Sequence, residues 1–459
     1  MPISSQATAL FARLQRGIAS AADLAHALGL SQPSISRLLT RLIGEGQVVR
    51  IGSRRGVRYG LSSAVEGIGS QWPLRRIDSA ANIHELGTLY RLVADQYFFN
   101  PTPEARAAGY AWGGISEGIP YFLQDQRPGG FLGRAVPRHY PELHLPERVI
   151  DWTDEHYLRH LTQHGGDAVS DLILGDAAFN EHLSQMRHRK AIEATERSVS
   201  YPGLAAAVME GKLPGSSAHG EHPKFTAFLR DKSLLRHILV KFSPTMDTAI
   251  GKRWGDLLTA EHHAHDILRE TGLPACDSRI FTFENRTYLE VDRFDRRGAE
   301  GRIGVTSLLA IDATQYGKLD RWIDSAARLH KDHRIDAEAL EQVRLAATFG
   351  ALIANTDRHF GNLALYDSYD GHFALAPIYD MLPMLFAPEH DQIFARVFVP
   401  PDPSSDTLNA FGQARSLAER YWQNLADDAR ISGEFRAISA TCLRTLEALP
   451  RTGAYASRP

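Results

Sequence analysis

One stretch constrains this chain more than any other. Between residues 345 and 380 it sets out an apolar run (Leu345 to Ala354) and then the polar loop Asn355-Thr356-Asp357-Arg358-His359-Phe360-Gly361-Asn362. Two short β-prone runs follow, Leu363 to Tyr366 and His372 to Ala376, turning at Tyr369-Asp370-Gly371, and the stretch closes on Ala376-Pro377-Ile378-Tyr379-Asp380. The apolar run predicts a buried helix, and an Asp-Gly between β-prone segments predicts a hairpin. A helix, a loop and a hairpin of these lengths hold Asp357 and Asn362 in one loop and return the chain to them at Asp380. An Asp-x4-Asn alone recurs by chance in many chains; its setting here makes it specific.

Phosphoryl transfer asks for these groups. It needs a carboxylate to orient the attacking hydroxyl, oxygen ligands for Mg²⁺, a second carboxylate on that metal, and a lysine on the phosphates. Protein kinases place the first carboxylate and an asparagine in one loop as Asp-x4-Asn, with a second aspartate beyond a short hairpin. A lysine is available at the end of the β-like run from His237 to Phe242, as Val240-Lys241-Phe242-Ser243-Pro244. Glu261 stands 20 residues further on, in an apparent helix from Leu257 to Glu270, and is either a partner for that lysine or a solvated helix charge.

These motifs resemble the HipA family of bacterial serine/threonine kinase toxins, whose catalytic loop reads Asn-x-Asp-x-His-x-x-Asn and whose metal loop reads Pro-x-Tyr-Asp. The resemblance implies Asp357 as catalytic base, Asn362 and Asp380 as Mg²⁺ ligands, and Lys241 on the ATP phosphates, with His359 also in the ATP site. The family's Ser-x-x-Gly-x3-Lys loop corresponds to Ser217-Ala218-His219-Gly220-Glu221-His222-Pro223-Lys224. By resemblance Ser217 and Gly220 face ATP, and Ser217, or its neighbour Ser216, is the autophosphorylated serine whose modification switches the enzyme off. The run Tyr288 to Arg296 resembles the family's hinge and its Arg-Phe-Asp-Arg signature, which implies that backbone groups of Glu290 to Asp292 meet the adenine. Arg293 and Asp295 then read as a structural ion pair. The resemblance further implies a protein target, with tRNA synthetases as precedent. Tyr97 to Asp167 matches the family only loosely.

The family's usual kinase has no segment like the first 64 residues here. Arg13, Arg16, Arg37, Arg41, Arg50, Arg54, Arg55 and Arg58 stand against Asp23 and Glu45, giving 8 − 2 = +6 where the whole chain is −3. Such segregation is a footprint of nucleic-acid contact. Residues 6–16 read as a helix. Ser20 caps a second one with Asp23 three residues on, Gly29 ends it, and Ser31 caps a third with Pro33 in its first turn. Ile35, Leu38, Leu39 and Leu42 form the buried stripe of that third helix; Gln32, Ser34, Ser36, Arg37 and Arg41 project opposite, as a major-groove reader requires. Two β-like runs, Gln47 to Ile51 and Val57 to Leu61, flank a Gly-rich tip carrying Arg54 and Arg55, placed to reach phosphates. The segment resembles the winged helix-turn-helix of MarR- and IclR-like regulators. A reader fused in front of a HipA-like body is the arrangement of the family's YjjJ-type branch. It implies double-stranded DNA as a partner and a homodimer on a two-fold site.

The fold class expected is therefore α+β: a winged helix-turn-helix (1–64), a HipA-like N-terminal lobe region (65–205) and a HipA-like kinase core with a mostly helical C-lobe (206–459). Cofactors implied are ATP and Mg²⁺. With 43% hydrophobic and 23% charged residues, the composition is ordinary for globular chains. Cys276 and Cys442 show no metal or redox spacing, and no run is long and apolar enough for a membrane span, so a cytoplasmic, bacterial protein is expected. His219, His222, His262, His263 and His265 lack the His-Glu-x-x-His spacing of zinc hydrolases, and neither a nucleophile elbow nor a dinucleotide-binding glycine motif is present. The competing reading is a DNA-binding regulator whose kinase-like part is degenerate and only senses nucleotide.

Overall fold

The computed structural model describes residues 5–52, 56–110, 112–211, 222–390 and 392–450. The chain is α+β, as its patterns predict. The N-terminal unit is three helices, α1 (Ser5–Leu14), α2 (Ala21–Leu28) and α3 (Gln32–Gly44), followed by a hairpin of β1 (Val48–Ile51) and β2 (Arg58–Leu61). Its helix ends follow from local chemistry. The Ser20 hydroxyl accepts the Asp23 N–H at 3.1 Å and the Asp23 carboxylate accepts the Ser20 N–H at 3.0 Å, satisfying two donors that a bare helix end would leave open. Gly29 closes α2 at φ 63°, and Ser31 caps α3. Leu10, Leu14, Leu24, Ile35, Leu39 and Leu42 meet in one small core. Arg54 and Arg55 lie outside the described residues.

The reader does not swing on a linker. Val49 and Ile51, on the far face of the hairpin, pack against Leu92 and Phe98 of the next unit. Backbone bonds cross the same seam, from Ser63 N–H to the Arg91 carbonyl and from Val93 N–H to the Leu61 carbonyl, both 3.0 Å. The next unit is an antiparallel sheet in the order β6-β5-β4-β3-β7, built from β3 (Gln71–Ile77), β4 (Ile83–Arg91), β5 (Gln96–Pro101), β6 (Gly114–Glu117) and β7 (Leu172–Leu174). Four short helices (α4, Pro103–Ala107; α5, Tyr121–Gln124; α6, Gly130–Gly133; α7, Val136–His139) and two longer ones (α8, Asp154–His164; α9, Asp176–His188) surround it. Trp112 and Phe122 stack in its core with centroids 4.1 Å apart.

A second five-stranded sheet follows in the order β11-β12-β10-β9-β8, from β8 (Ile192–Glu193), β9 (Lys224–Asp231), β10 (Leu234–Phe242), β11 (Ser278–Phe283) and β12 (Arg286–Asp292). Helices α10 (Arg197–Met209) and α11 (Ala249–Glu270) pack on it. The division expected at 205/206 falls inside α10. Tyr201, Ala205 and Val208 bury against Phe225, Leu229 and Val240, so α10, like β8, belongs to this small lobe rather than to the preceding unit. Hydrophobic burial set that boundary, and no glycine or proline marks it.

The large lobe opens with two small ladders, β13 (Arg296–Arg297) with β14 (Gly301–Arg302), and β15 (Val305–Ser307) with β16 (Ala364–Asp367), the latter also paired to β17 (Phe373–Leu375). Its helices are α12 (Leu308–Gln315), α13 (Trp322–Lys331), α14 (Ala337–Leu352), α15 (Leu408–Asp427) and α16 (Gly433–Glu447). Phe349, Leu352, Met381, Tyr421, Trp422 and Phe435 are among its fully enclosed residues, each such side chain contributing about 1.5–3 kcal/mol by leaving water. The expected hairpin is present as β16 and β17. Among the described residues no helix is long and apolar enough to cross a membrane.

Candidate active site

The small and large lobes meet on a buried lysine. Strand β10 carries Lys241 inward beneath α11, where its Nζ donates to both carboxylate oxygens of Glu261, at 2.7 and 2.8 Å, and to Oδ1 of Asp380. Glu261 is therefore the partner of the lysine and not a solvated helix charge. Asp380 sits at φ 51°, in the left-handed region, directly after Tyr379, and the Asn355 side-chain amide donates to its carbonyl at 3.2 Å. Strain at a non-glycine residue held by its neighbours is typical of functional loops. Burial pushes the Asp380 carboxyl up, but the ammonium groups of Lys241 and Lys224 outweigh it and hold the pKa at about 2. Burial alone would lower the Lys241 pKa, and the charges of Asp380 and Glu261 raise it, so the ammonium stays charged. Burial raises Glu261.

The loop from 355 to 362 is braced on itself. Asn355 Oδ1 accepts the Asp357 N–H at 3.0 Å, and the Asn362 amide donates to the Asp357 carbonyl at 2.8 Å. His359 caps the turn Phe360–Asn362, its ring nitrogen accepting the Gly361 N–H at 3.1 Å, while Tyr379 O–H donates to the Gly361 carbonyl at 2.6 Å. Apart from the Asn362 amide beside it, these braces do not engage the Asp357 carboxylate, which is half exposed. The His359 ring is 4.0 Å from it, an ion-pair distance and too long for a hydrogen bond. Burial raises the Asp357 pKa; His359 opposes this and the charge of Asp380 adds to it. A carboxylate raised in this way is a better proton acceptor.

Two cavities join at the lysine. One of about 440 Å³ is largely apolar, walled by Leu239, Cys276, Val291, Phe294, Val305 and Ala364, with Asp292 among its polar residues. The other, of about 770 Å³, runs past His222, Trp254 and Leu258 to Asp357. Lys224, Lys241, Glu261, His359 and Asp380 line both. A largely apolar chamber opening on Lys224 and Lys241 and then on carboxylates has the chemistry to take an apolar ring system with an anionic group attached. A third cavity, about 560 Å³, lies on the other side of Asp357.

The structure thus brings together Lys241, Glu261, Asp357, His359, Asn362 and Asp380, with Asp292 at the rim of the apolar chamber. It does not bring Glu290 there. That residue lies in the middle of the sheet, in register with Val240 on one side and Arg279 on the other, so its backbone groups are spent on the ladder. Its side chain is the hub of a buried network, with Arg197 at 2.6 Å, Tyr201 at 2.5 Å, and Arg236. The Asp292 N–H is likewise taken, by the Asp277 carbonyl at 2.9 Å. Ser216, Ser217 and Gly220 lie outside the described residues. Arg293 and Asp295 form the expected ion pair, at 2.9 and 3.0 Å, and both arginines of that segment, Arg293 and Arg296, also reach Asp167. His262 and His265 both contact the Ser278 hydroxyl, at 3.0 and 3.1 Å.

Sequence reasoning missed several walls of the site. Lys224, quoted only as the end of a loop motif, pairs in register with Lys241 across β9 and β10, a relation visible once the two strands are aligned. Asp125, Gly130 and Val169 come from the middle unit, and no local signal connects them to the apolar chamber. Asp125 fixes that wall to the large lobe, accepting both the N–H and the O–H of Ser307 at 2.6 Å.

Comparison with known proteins agrees with this layout. Over 434 residues, covering 93% of this chain and 94% of the other, the sequence is 35% identical to Toxin YjjJ of Escherichia coli (strain K12). This chain belongs to the YjjJ-like toxin family. Residues 68–183 match the family model of the YjjJ-like toxin middle domain, 216–449 that of the HipA-like C-terminal domain, and 9–52 that of the IclR helix-turn-helix domain. Among solved structures, HipA from the Shewanella oneidensis MR-1 complex of HipA, HipB and operator DNA superposes with a TM-score of 0.52 at 13% identity, over 82% of this chain and 96% of that one. At that identity the likeness establishes the HipA-like fold of the body. The YjjJ-like middle domain accounts for the stretch that matched HipA sequences loosely, and it is the domain that supplies Asp125 and Val169 to the chamber.

Proposed function

We propose that this YjjJ-like protein is an ATP-dependent serine/threonine protein kinase tethered to DNA by its own helix-turn-helix, and that it acts as a toxin of the HipA type. One observation carries the catalytic part: a single cavity holds Lys241, clamped between Glu261 and Asp380, together with the half-exposed Asp357 carboxylate. ATP places its adenine in the apolar chamber and its phosphates at Lys241 and Lys224. Asp357 accepts or orients the proton of the Ser/Thr hydroxyl, and the loop braces from Asn355 and Asn362 keep it pointed while it does so.

Asp380, held ionised, and Asn362, whose amide nitrogen is committed to the Asp357 carbonyl, leave hard oxygen donors of the kind Mg²⁺ takes beside phosphates, so the residues fit that ion. Bound with ATP, Mg²⁺ would neutralise charge developing on the transferred phosphoryl group. Lys241 is the residue that must let go of Asp380 when nucleotide enters, and Glu261 keeps it in place meanwhile.

At the other end, α3 presents Gln32, Ser36, Arg37 and Arg41 to solvent, which supports a major-groove role; Ser34 is half buried, its hydroxyl shared with Ser31 at 2.9 Å. Self-limitation by phosphorylation of Ser217 or Ser216 and a dimeric state on two-fold DNA remain part of this proposal, as does a protein target. Incubation with γ-labelled ATP, beside Asp357→Ala, tests the catalytic reading. Label on the wild type alone supports it. No label on phosphatase-treated wild type would favour a regulator that only senses nucleotide. Gel shifts with Arg37→Ala/Arg41→Ala test the reader, where weaker binding and a salt slope reduced by about 2 are expected if both contact phosphates.

A further inference from the structure

The segment that follows Asp380 is built unlike the rest of the large lobe. After the tight turn from Glu389 to Gln392, closed by reciprocal backbone bonds of 2.9 Å, residues 393–403 enter neither a helix nor a sheet. Among the described residues nothing hydrogen-bonds to their backbone. Residues 394–397 are all exposed, and alternation is confined to the last three: Val397 is 82% exposed, Phe398 is 8% exposed in the lobe core, and Val399 is 78% exposed. Over those three residues the spacing is that of an extended strand with one face down. Phe394, also exposed, lies against the Arg396 guanidinium, which Glu389 holds through both carboxylate oxygens at 2.9 Å. Pro400-Pro401 then removes two donors and ends the row. The result is a seven-residue segment, 393–399, whose backbone groups bond nothing among the described residues and whose two valines face water, an arrangement folded proteins ordinarily cover or blunt.

Both ends of this edge lead to Asp357. Pro388, Glu389 and His390 line the cavity that contains Asp357 and Lys241. Pro401, Asp402 and Ser404 line the third cavity, which opens on the opposite side of Asp357. The charged groups lining that third cavity are Asp320, Asp357 and Asp402 with Arg321 and Arg358. Arg321 is held by Asp324 and Asp406, and Asp320 by Arg328, which leaves Asp402 as an exposed acid with no ion pair among the described residues.

We infer that the hydroxyl-bearing substrate is an extended polypeptide segment that adds as a strand along residues 393–399, apolar at the alternate positions facing Val397 and Val399 and carrying a Lys or Arg that reaches the Asp320–Asp402 groove. This deepens the kinase reading and rests on it. Main-chain bonding to the edge supplies affinity without regard to sequence, and the two valines with the acidic groove supply selection. A substrate so held passes Asp357, which lines both cavities.

The test uses the full chain with Mg·ATP bearing a labelled γ-phosphate and a position-scanned peptide library with one central Ser or Thr, comparing wild type, Val397→Lys/Val399→Lys and Asp402→Lys, with nucleotide affinity and self-labelling read in parallel. Both substitutions are on exposed residues outside the nucleotide chamber, so unchanged nucleotide affinity is expected. Selection by the wild type for β-branched residues at alternate positions and for a basic residue, at least a tenfold loss of peptide labelling in the valine variant, and loss of the basic preference in Asp402→Lys are the expected results. Equal peptide labelling by the valine variant, or self-labelling by a wild type that labels no peptide, overturns the docking edge while leaving the kinase reading intact. No self-labelling and no peptide labelling by dephosphorylated wild type removes the kinase reading itself. A wild type that is dimeric in solution and becomes monomeric on Val397→Lys/Val399→Lys assigns the edge to a second copy of the chain and overturns the substrate assignment.

Discussion

Replacing Lys241 by Met keeps most of the side chain's length and apolar stem but takes away the one charge that Glu261 and Asp380 share. Both carboxylates then face each other where little water reaches, Glu261 at 1% side-chain exposure and Asp380 at 23%. Removing one partner from a buried charge set costs about 3–5 kcal/mol; the partial exposure of Asp380 places the expected loss near about 3 kcal/mol at neutral pH. For a domain the size of the large and small lobes that is roughly 6–12 °C in melting temperature. The pH dependence identifies the cause. In the wild type the Asp380 pKa is depressed to about 2, so its stabilising contribution is complete above the unfolded carboxylate value and does not change between pH 5 and 8. In Lys241→Met the cation is gone and the pair's pKa values rise above their unfolded values. A raised carboxylate stabilises the fold while protonated and loses that contribution as pH rises, so the deficit relative to wild type should be largest at pH 8 and shrink toward pH 5. Thermal melts by circular dichroism in Mg²⁺-free buffer at both pH values measure it. An equal deficit at the two pH values would assign the loss to packing, and no deficit at either would refute the charge clamp.

Three further outcomes follow from the same structure. Burial, with the nearby Asp171 charge adding to it, pushes the Asp367 pKa to about 7, so the contribution of Asp367 to stability declines as pH rises from 5 toward 8; the wild type should lose stability relative to Asp367→Asn over that range in the same melts, and a difference that does not change with pH would place the proton elsewhere. A Cβ at Gly251 would stand 1.9 Å from the Thr245 carbonyl, so Gly251→Ala must displace the start of α11, costing about 1–3 kcal/mol and weakening nucleotide binding through Glu261, as a fluorescent-nucleotide titration would register. Phe98→Ala at the seam with Val49 and Ile51 should cost about 3–5 kcal/mol locally and speed proteolytic release of the reader; an unchanged cleavage rate would mean the backbone bonds alone hold it.

What could be read in advance was whatever the chain encodes over a few residues. Ser20 with Asp23, Gly29, Ser31 and the Ile35–Leu42 stripe determine where helices begin, end and bury, because caps and amphipathic faces act within one or two turns. Asp357, Asn362 and Asp380 were legible for a related reason, since a loop and a hairpin short enough to permit only one return path fix their proximity. The sequence also carried the chemistry of Lys241. It left Glu261 undecided between ion pair and solvent, because a helix charge 20 residues from a strand lysine finds or misses it only when the helix packs.

The tertiary structure decided the rest. Lys241 and Asp380 are 139 residues apart and meet because two lobes close on each other. Glu290 went to a buried arginine network because its strand is central to the sheet and has no free backbone edge. The seam in the body lies ahead of β8 rather than at 205/206, because Tyr201, Ala205 and Val208 of α10 found their cover in the following sheet. Asp125 and Val169 became walls of the apolar chamber through the docking of a middle unit. Local rules fix elements and the groups they carry; long-range contacts are settled by burial and charge pairing summed over the whole fold, and no short window of sequence contains that sum.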